Sequence, residues 1–226
     1  MEITPIARFV SPLPEKFGIP RQAGLAESLE GRIVFEPVFR RPEALRGLDG
    51  FDYIWLIWEF NLNRQYDREP SFTVRPPRLG GNERVGVFAS RSPFRPNGLG
   101  LSSVRIGSID FEKCEITVLG ADLADGTPIY DIKPYVTYCD SHPEARSGFA
   151  LEREWRRLEV RAVSPEIEQA LATAFAPQQL RALYEILAED PRPAFHDDPA
   201  KEYGLSFAGH NIRFRVDNDL LLIVSL

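Results

Sequence analysis

Up to about residue 145 this chain offers one strand-like segment after another with almost no helical period between them, and that order restricts the fold more than any other feature. Residues 3–10, 31–39 and 51–60, then 85–89, 101–109, 115–119 and 129–136, are rich in β-branched and aromatic side chains and bounded by proline or glycine. That is the pattern of short strands. The stretches RLGGN, RPNGLG and LADGTP separate the later ones and supply turns. Parallel strands need long crossover connections, usually helical. Their absence predicts an antiparallel barrel or sandwich. In FDYIWLIWEF both alternating faces are largely apolar, which predicts a central strand covered on both sides.

The period changes after residue 150. EWRRLEVRAV reads as a strand, and Ser164-Pro165 opens a helix with serine as N-cap and proline at N1. Residues 177–188 set Leu180, Leu183, Tyr184 and Leu187 at helical spacing before Asp190-Pro191 ends the run. NIRFRV and LLLIVSL, joined through Asp217-Asn218-Asp219, read as a closing hairpin. A boundary is therefore expected between residues 145 and 155, with a β-rich body over residues 1–150 and a small α+β unit over residues 151–226. The fold class expected is mainly β with a small α+β extension.

The composition excludes several functions. No run of about 18 apolar residues occurs and the first residues lack a basic start before an apolar stretch, so the expected location is the cytoplasm, with no membrane partner. Cys114 and Cys139 lack CxxC spacing and are expected as reduced thiols. Cys139 and His142 stand three apart but read as a surface loop, and no metal is expected. A net charge of −6 argues against indiscriminate binding of polyanions, while leaving room for a local basic surface.

Such a surface is present in the sequence. Residues 73–106 carry Arg75, Arg78, Arg84, Arg91, Arg95 and Arg105 against one acid, Glu83. Arginine forks match phosphate and carboxylate oxygens, and proline stiffens the chain beside Arg75, Arg78, Arg91 and Arg95. The run reads either as an anion or RNA site or as a solvated charged face. A second island places Asp122, Asp125 and Asp131 around a Gly-Thr-Pro turn near Lys133. These carboxylates could hold ribose hydroxyls, yet Asp125-Gly126 also suits a plain turn. Trp55, Trp58 and Phe60 could stack an adenine or fill a core. No Walker loop, no G-x-G-x-x-G and no G-x-S-x-G occurs, which disfavours P-loop, Rossmann and serine-nucleophile chemistry.

Four blocks carry a resemblance: residues 11–22 (SPLPEKFGIPRQ), 73–100 (TVRPPRLGGNERVGVFASRSPFRPNGLG), 123–136 (LADGTPIYDIKPYV) and 189–195 (EDPRPAF). Together they resemble the TrmO (TsaA/YaeB) family of S-adenosylmethionine-dependent tRNA (adenine-37-N6)-methyltransferases. The resemblance implies an antiparallel β-barrel methyltransferase body unlike the Rossmann-type enzymes, a homodimer with the cofactor near the subunit contact, and a small C-terminal domain. It implies transfer of a methyl group from S-adenosylmethionine to N6 of N6-threonylcarbamoyladenosine at position 37 of threonine tRNA.

By position in those blocks, the cofactor is expected at Pro20, Arg21, Gln22, Phe60, Asn61, Arg91, Leu101, Asp122, Leu123, Asp125, Gly126 and Thr127. The RNA and its threonylcarbamoyl carboxylate are expected at Arg75, Arg78, Arg91, Arg95, Asn97 and Tyr135. Asp125 or Asp131 is expected to accept the N6 proton, with Lys133 beside them. Several relatives have proline where this chain has Gly98. The alternatives are a non-catalytic RNA- or nucleotide-binding barrel, and a methyltransferase for a small molecule.

Overall fold

In the computed structural model the described residues are 2–63, 72–76, 83–151, 157–193 and 198–226. Strands β1 (Ala7–Val10), β2 (Glu30–Phe35) and β3 (Tyr53–Glu59) are followed by the two-residue strands β4 (Thr73–Val74) and β5 (Val85–Gly86). Strands β6 (Leu99–Asp110), β7 (Glu115–Leu119) and β8 (Pro128–Pro134) complete the first part. Six of these close into a barrel in the order β1-β2-β7-β6-β3-β8, every pairing antiparallel. Closure leaves no edge to pair with other chains. Its core is Phe9, Ile33, Ile54, Leu56, Trp58, Ile116, Val118 and Ile129, with their neighbours.

Strand β3 is central as its sequence requires. It pairs with β6 on one side and β8 on the other, and alternates buried Ile54, Leu56 and Trp58 with half-buried Trp55, Ile57 and Glu59. Opposite Trp58 stands Gly100, where a Cβ would lie 2.3 Å from the indole ring. Small residues facing large ones let a narrow barrel fill. Gly100→Ala is expected to destabilise the chain by about 1–3 kcal/mol through overpacking; a chemical-denaturation midpoint unchanged from the parent would refute this.

The strand expected over residues 85–89 breaks at Gly86 into a 3-10 turn over Val87–Ala89, and that over 31–39 stops at Phe35 before the 3-10 turn Pro37–Phe39. Proline at the first turn position fixes φ and removes a ladder donor, which explains the second stop. Helical turns are also more numerous than the sequence suggested: α1 (Pro42–Leu45) and α2 (Thr137–Asp140) are single turns.

The C-terminal part comprises β9 (Glu159–Ala162), α3 (Pro165–Ala174), α4 (Pro177–Ala188), β10 (Tyr203–Phe207), β11 (His210–Asp217) and β12 (Leu220–Ser225). The sheet order is β10-β11-β12-β9, with β9 and β12 parallel. Ser164 accepts a hydrogen bond from the Ile167 amide, as an N-cap should. Strand β10 escaped the sequence reading because Gly204 breaks its pattern. A Cβ there would meet Asn211 Oδ1 at 2.8 Å, a contact that the exposed Asn211 side chain can relieve by turning. Leu13, Ala26 and Leu29, from the connection between β1 and β2, belong to this second core, and Phe17 stacks on Phe214. Among the described residues no helix is long and apolar enough to cross a membrane.

Candidate functional site

A polar chain leads out of the barrel core at the β3–β6 contact. Register places Ser102 on the inward face of β6, where it is only 4% exposed. Trp58 Nε1 donates to Ser102 Oγ at 2.9 Å, and that hydroxyl donates to Asp122 Oδ1 at 2.6 Å. Each buried polar group thereby finds a partner. Burial pushes the Asp122 carboxyl above its ordinary range, while the Ser102 hydrogen bond and the Arg91 charge draw it back down.

Arg91 comes from the loop that precedes β6, a loop braced by short-range hydrogen bonds. Ser90 Oγ accepts from the Ser92 amide, Ser92 Oγ accepts from the Phe94 amide, and Arg95 Nη1 donates to Ser90 O at 3.0 Å. Arg91 Nη1 donates to Gln22 Oε1 at 2.5 Å. The loop closes on the end of β3 through Gly98, whose carbonyl accepts from the Phe60 amide at 2.8 Å. Gly98 has φ +59°, a conformation closed to proline. Phe60 packs edge-on against Trp58 at 4.3 Å, and Thr127 Oγ1 donates to Asn61 Oδ1 at 3.4 Å.

Gln22, Phe60, Asn61, Arg91, Asp122 and Thr127 are thus linked around one end of β3, from five separate stretches of sequence. They offer one cation, one half-buried acid, one aromatic ring, two amides and a hydroxyl. That set suits a ligand with a carboxylate, cationic groups, ribose hydroxyls and a flat base. Among the described residues no group of three or more His, Cys, Asp and Glu could hold a metal ion.

Other expected residues fall elsewhere. Pro20 is buried, and Arg21 turns away from Gln22 to donate through Nη2 to Asp190 O at 3.3 Å. Leu123 is wholly buried in the barrel core. Leu101 points outward, 59% exposed, in a row with Ile57 and Asp131 across β6, β3 and β8. The expected grouping of Asp125, Asp131 and Lys133 is corrected. Asp125 accepts from the Ser11 amide at 2.9 Å and is followed by Gly126 at φ +73°, so it shapes a turn. Asp131 and Lys133 instead lie on the outer barrel face, opposite Ile57 and Trp55. Tyr135 packs there against Tyr53 and Trp55.

Arg75 is exposed at the end of β4, and Asn97 is exposed in the arginine loop. Arg78 lies outside the described residues.

Two family descriptions match in tandem: tRNA-methyltransferase O N-terminal domain over residues 8–141 and TrmO C-terminal domain over residues 156–226. The chain belongs to the TrmO family. It is 39% identical to a tRNA (adenine(37)-N6)-methyltransferase of Escherichia coli strain K12 over 212 residues, 91% of this chain and 89% of that one. A protein of the same name from Eikenella corrodens is 37% identical over 180 residues, 76% of this chain and 95% of the relative. The crystal structure of TrmO from Pseudomonas aeruginosa matches with a TM-score of 0.78 at 29% identity, covering 100% of this chain and 98% of that one.

Within this TrmO chain the residue that sequence reasoning passed over is Ser102. A serine in a strand carries no signal of its own. Its inward position, two residues after the buried Gly100 near the start of β6, could have been counted only once the register was known.

Proposed function

We propose that this chain transfers a methyl group from S-adenosylmethionine to N6 of N6-threonylcarbamoyladenosine at position 37 of threonine tRNA, acting as a cytoplasmic homodimer. The observation that carries this reading is the convergence of Gln22 and Arg91, drawn from separate signature blocks, on Asp122 beside the Trp58–Phe60 ring pair. When bound, S-adenosylmethionine supplies an electrophilic methyl group on a sulfonium. Arg91 suits its carboxylate, Asp122 its cationic groups, Asn61 and Thr127 its hydroxyls and base edge, and Phe60 its adenine face.

The chain's own task is then positioning. Holding nitrogen and methyl in line is worth roughly 7–11 kcal/mol, more than one acid–base contact supplies. Arg95 and Asn97, on the braced loop, and Arg75 are offered to RNA and to the threonylcarbamoyl carboxylate. An arginine left unpaired by plain adenosine rejects that simpler substrate. Asp131 and Lys133, on the outer face, are the groups placed to take the N6 proton and to hold the carboxylate if a second subunit covers that face.

The outer face of β6, β3 and β8 supports such a subunit contact. Leu101 and Tyr53 are exposed there, flanked by half-buried Ile57, Trp55 and Tyr135. A Leu101→Asp variant is expected to sediment as a monomer and to lose most methyl transfer, because a charge at an apolar contact costs several kcal/mol. A variant that still sediments as a dimer would place the contact elsewhere.

The test of the function is methyl transfer from radiolabelled S-adenosylmethionine to threonine tRNA prepared with and without the threonylcarbamoyl group, followed by nucleoside analysis. Label in N6-methylated threonylcarbamoyladenosine alone supports the proposal. Label in plain adenosine refutes the substrate, and tRNA binding without any transfer favours a non-catalytic barrel. Transfer to a small molecule with no tRNA binding favours the remaining alternative.

A further inference from the structure

We propose that a cavity between residues 16–21 and the end of α4 is a second nucleotide subsite, which reads the exocyclic amino group of a base in the substrate RNA through Glu189. This rests on the reading that the substrate is tRNA. The cavity measures about 370 Å³, within the range of about 300–1,000 Å³ that holds small ligands. Phe17, Ile19, Pro20 and Ile186 give it apolar walls, with Lys16 and Arg21 among its other lining residues.

Glu189 also lines this cavity and is only 6% exposed. Its Oε1 accepts from Arg157 Nε at 2.6 Å, whereas its Oε2 is buried and has no hydrogen-bond partner. A buried acceptor left unpaired is costly, and native structures hold few of them. Arg157, the partner of Oε1, is itself anchored by donating to Leu25 O. The neighbouring Asp190 has no such spare capacity: Arg192 engages both its oxygens, at 2.8 and 2.9 Å.

The surrounding charge selects the ligand. Glu189 and Asp190, the two acids that line the cavity, are paired with Arg157 and Arg192, which leaves Lys16 and Arg21 to suit a neutral N–H donor attached to phosphate. A nucleotide whose base carries an amino group meets both conditions, and carboxylates accept from cytosine N4 in this manner. The Phe17 ring, backed by Phe214 at 6.2 Å, is a fixed wall for stacking, the usual means of holding a splayed single-stranded base. Arg21 of the cavity is followed in sequence by Gln22 of the Arg91 cluster. The same short segment thus contributes to both places, which joins the cavity to the proposed transfer site through one stretch of backbone.

The experiment is a titration of the full-length isotope-labelled protein with cytidine and uridine 5′-monophosphates, followed by amide resonances. Cytidine monophosphate is expected to shift residues 16–21 and 186–191 and to bind about tenfold tighter than uridine monophosphate, the worth of one hydrogen bond to a charged group. Glu189→Gln presents an amide donor where Oε2 stood, and is expected to erase or invert that preference. Lys16→Ala is expected to weaken both nucleotides alike. In methyl transfer, the Glu189→Gln defect should fall on KM for tRNA and not on KM for S-adenosylmethionine.

Equal binding of the two nucleotides overturns the proposal. So does a preference that survives Glu189→Gln, or an effect on these resonances from S-adenosylmethionine alone. Methylated tRNA without base discrimination would remove the subsite and keep the enzyme. Base discrimination with no tRNA methylated would remove the substrate reading on which the subsite depends.

Discussion

An Arg91→Ala variant is expected to lose about 10- to 100-fold in kcat/KM for tRNA methylation, the range set by one hydrogen bond to a charged group. Two structural facts set that size. The guanidinium holds Gln22 across a gap between distant parts of the chain, and its charge opposes the burial that raises the Asp122 pKa. Removing it releases the 20–22 segment and drives Asp122 further toward its neutral form. Arg91→Lys keeps a charge but not the fork, so it should recover the state of Asp122 without recovering the Gln22 contact. Full turnover by Arg91→Ala at ordinary salt would show the arginine loop to be surface decoration.

The second large effect is a trade of activity for stability at Asp122. Burial raises its folded pKa above the ordinary value of 3.8, so the folded chain keeps this proton more tightly than the unfolded chain does. The resulting stabilisation is complete below the unfolded pKa and is lost as pH rises through the folded value. Once ionised, this carboxylate is a net cost to the fold.

Asp122→Asn carries no charge and can still accept from Ser102. Its melting temperature should therefore gain on the parent as pH rises from about 4 to about 8. Methyl transfer should fall about 10- to 100-fold, because the acid proposed to face the cofactor's cationic groups is gone. A melting difference that does not change with pH would refute the electrostatic account. Unchanged turnover would remove Asp122 from the cofactor site.

The barrel was legible in the sequence for a physical reason. Strands without helices between them can pair only as antiparallel neighbours, and the two apolar faces of residues 53–59 demanded a strand with neighbours on both sides. The 3-10 turns were not legible, since Val87, Phe88 and Ala89 look like strand residues until Gly86 is seen to end the pairing. The site was read as a set of blocks, but not as an arrangement. Nothing in DGTPIYDIKPY separates Asp125, fixed in a turn, from Asp131 on the outer wall, because that depends on strand register and on a bulge between Ile57 and Trp58. Ser102 and Glu189 were silent for the same reason. Their chemistry comes from burial, which no local pattern records.

The connection between β1 and β2 has a consequence for how this protein can be divided. Residues 11–29 run from the barrel, place Leu13, Ala26 and Leu29 in the second core, and on the way deliver Gln22 to Arg91. A barrel cut free after residue 150 would keep every strand of its wall, yet it would leave this strap with its apolar side in water and Gln22 without a foothold. The C-terminal unit is in that sense the mould in which one wall of the proposed methyl-transfer site is cast, and an active fragment lacking it would have to supply a substitute.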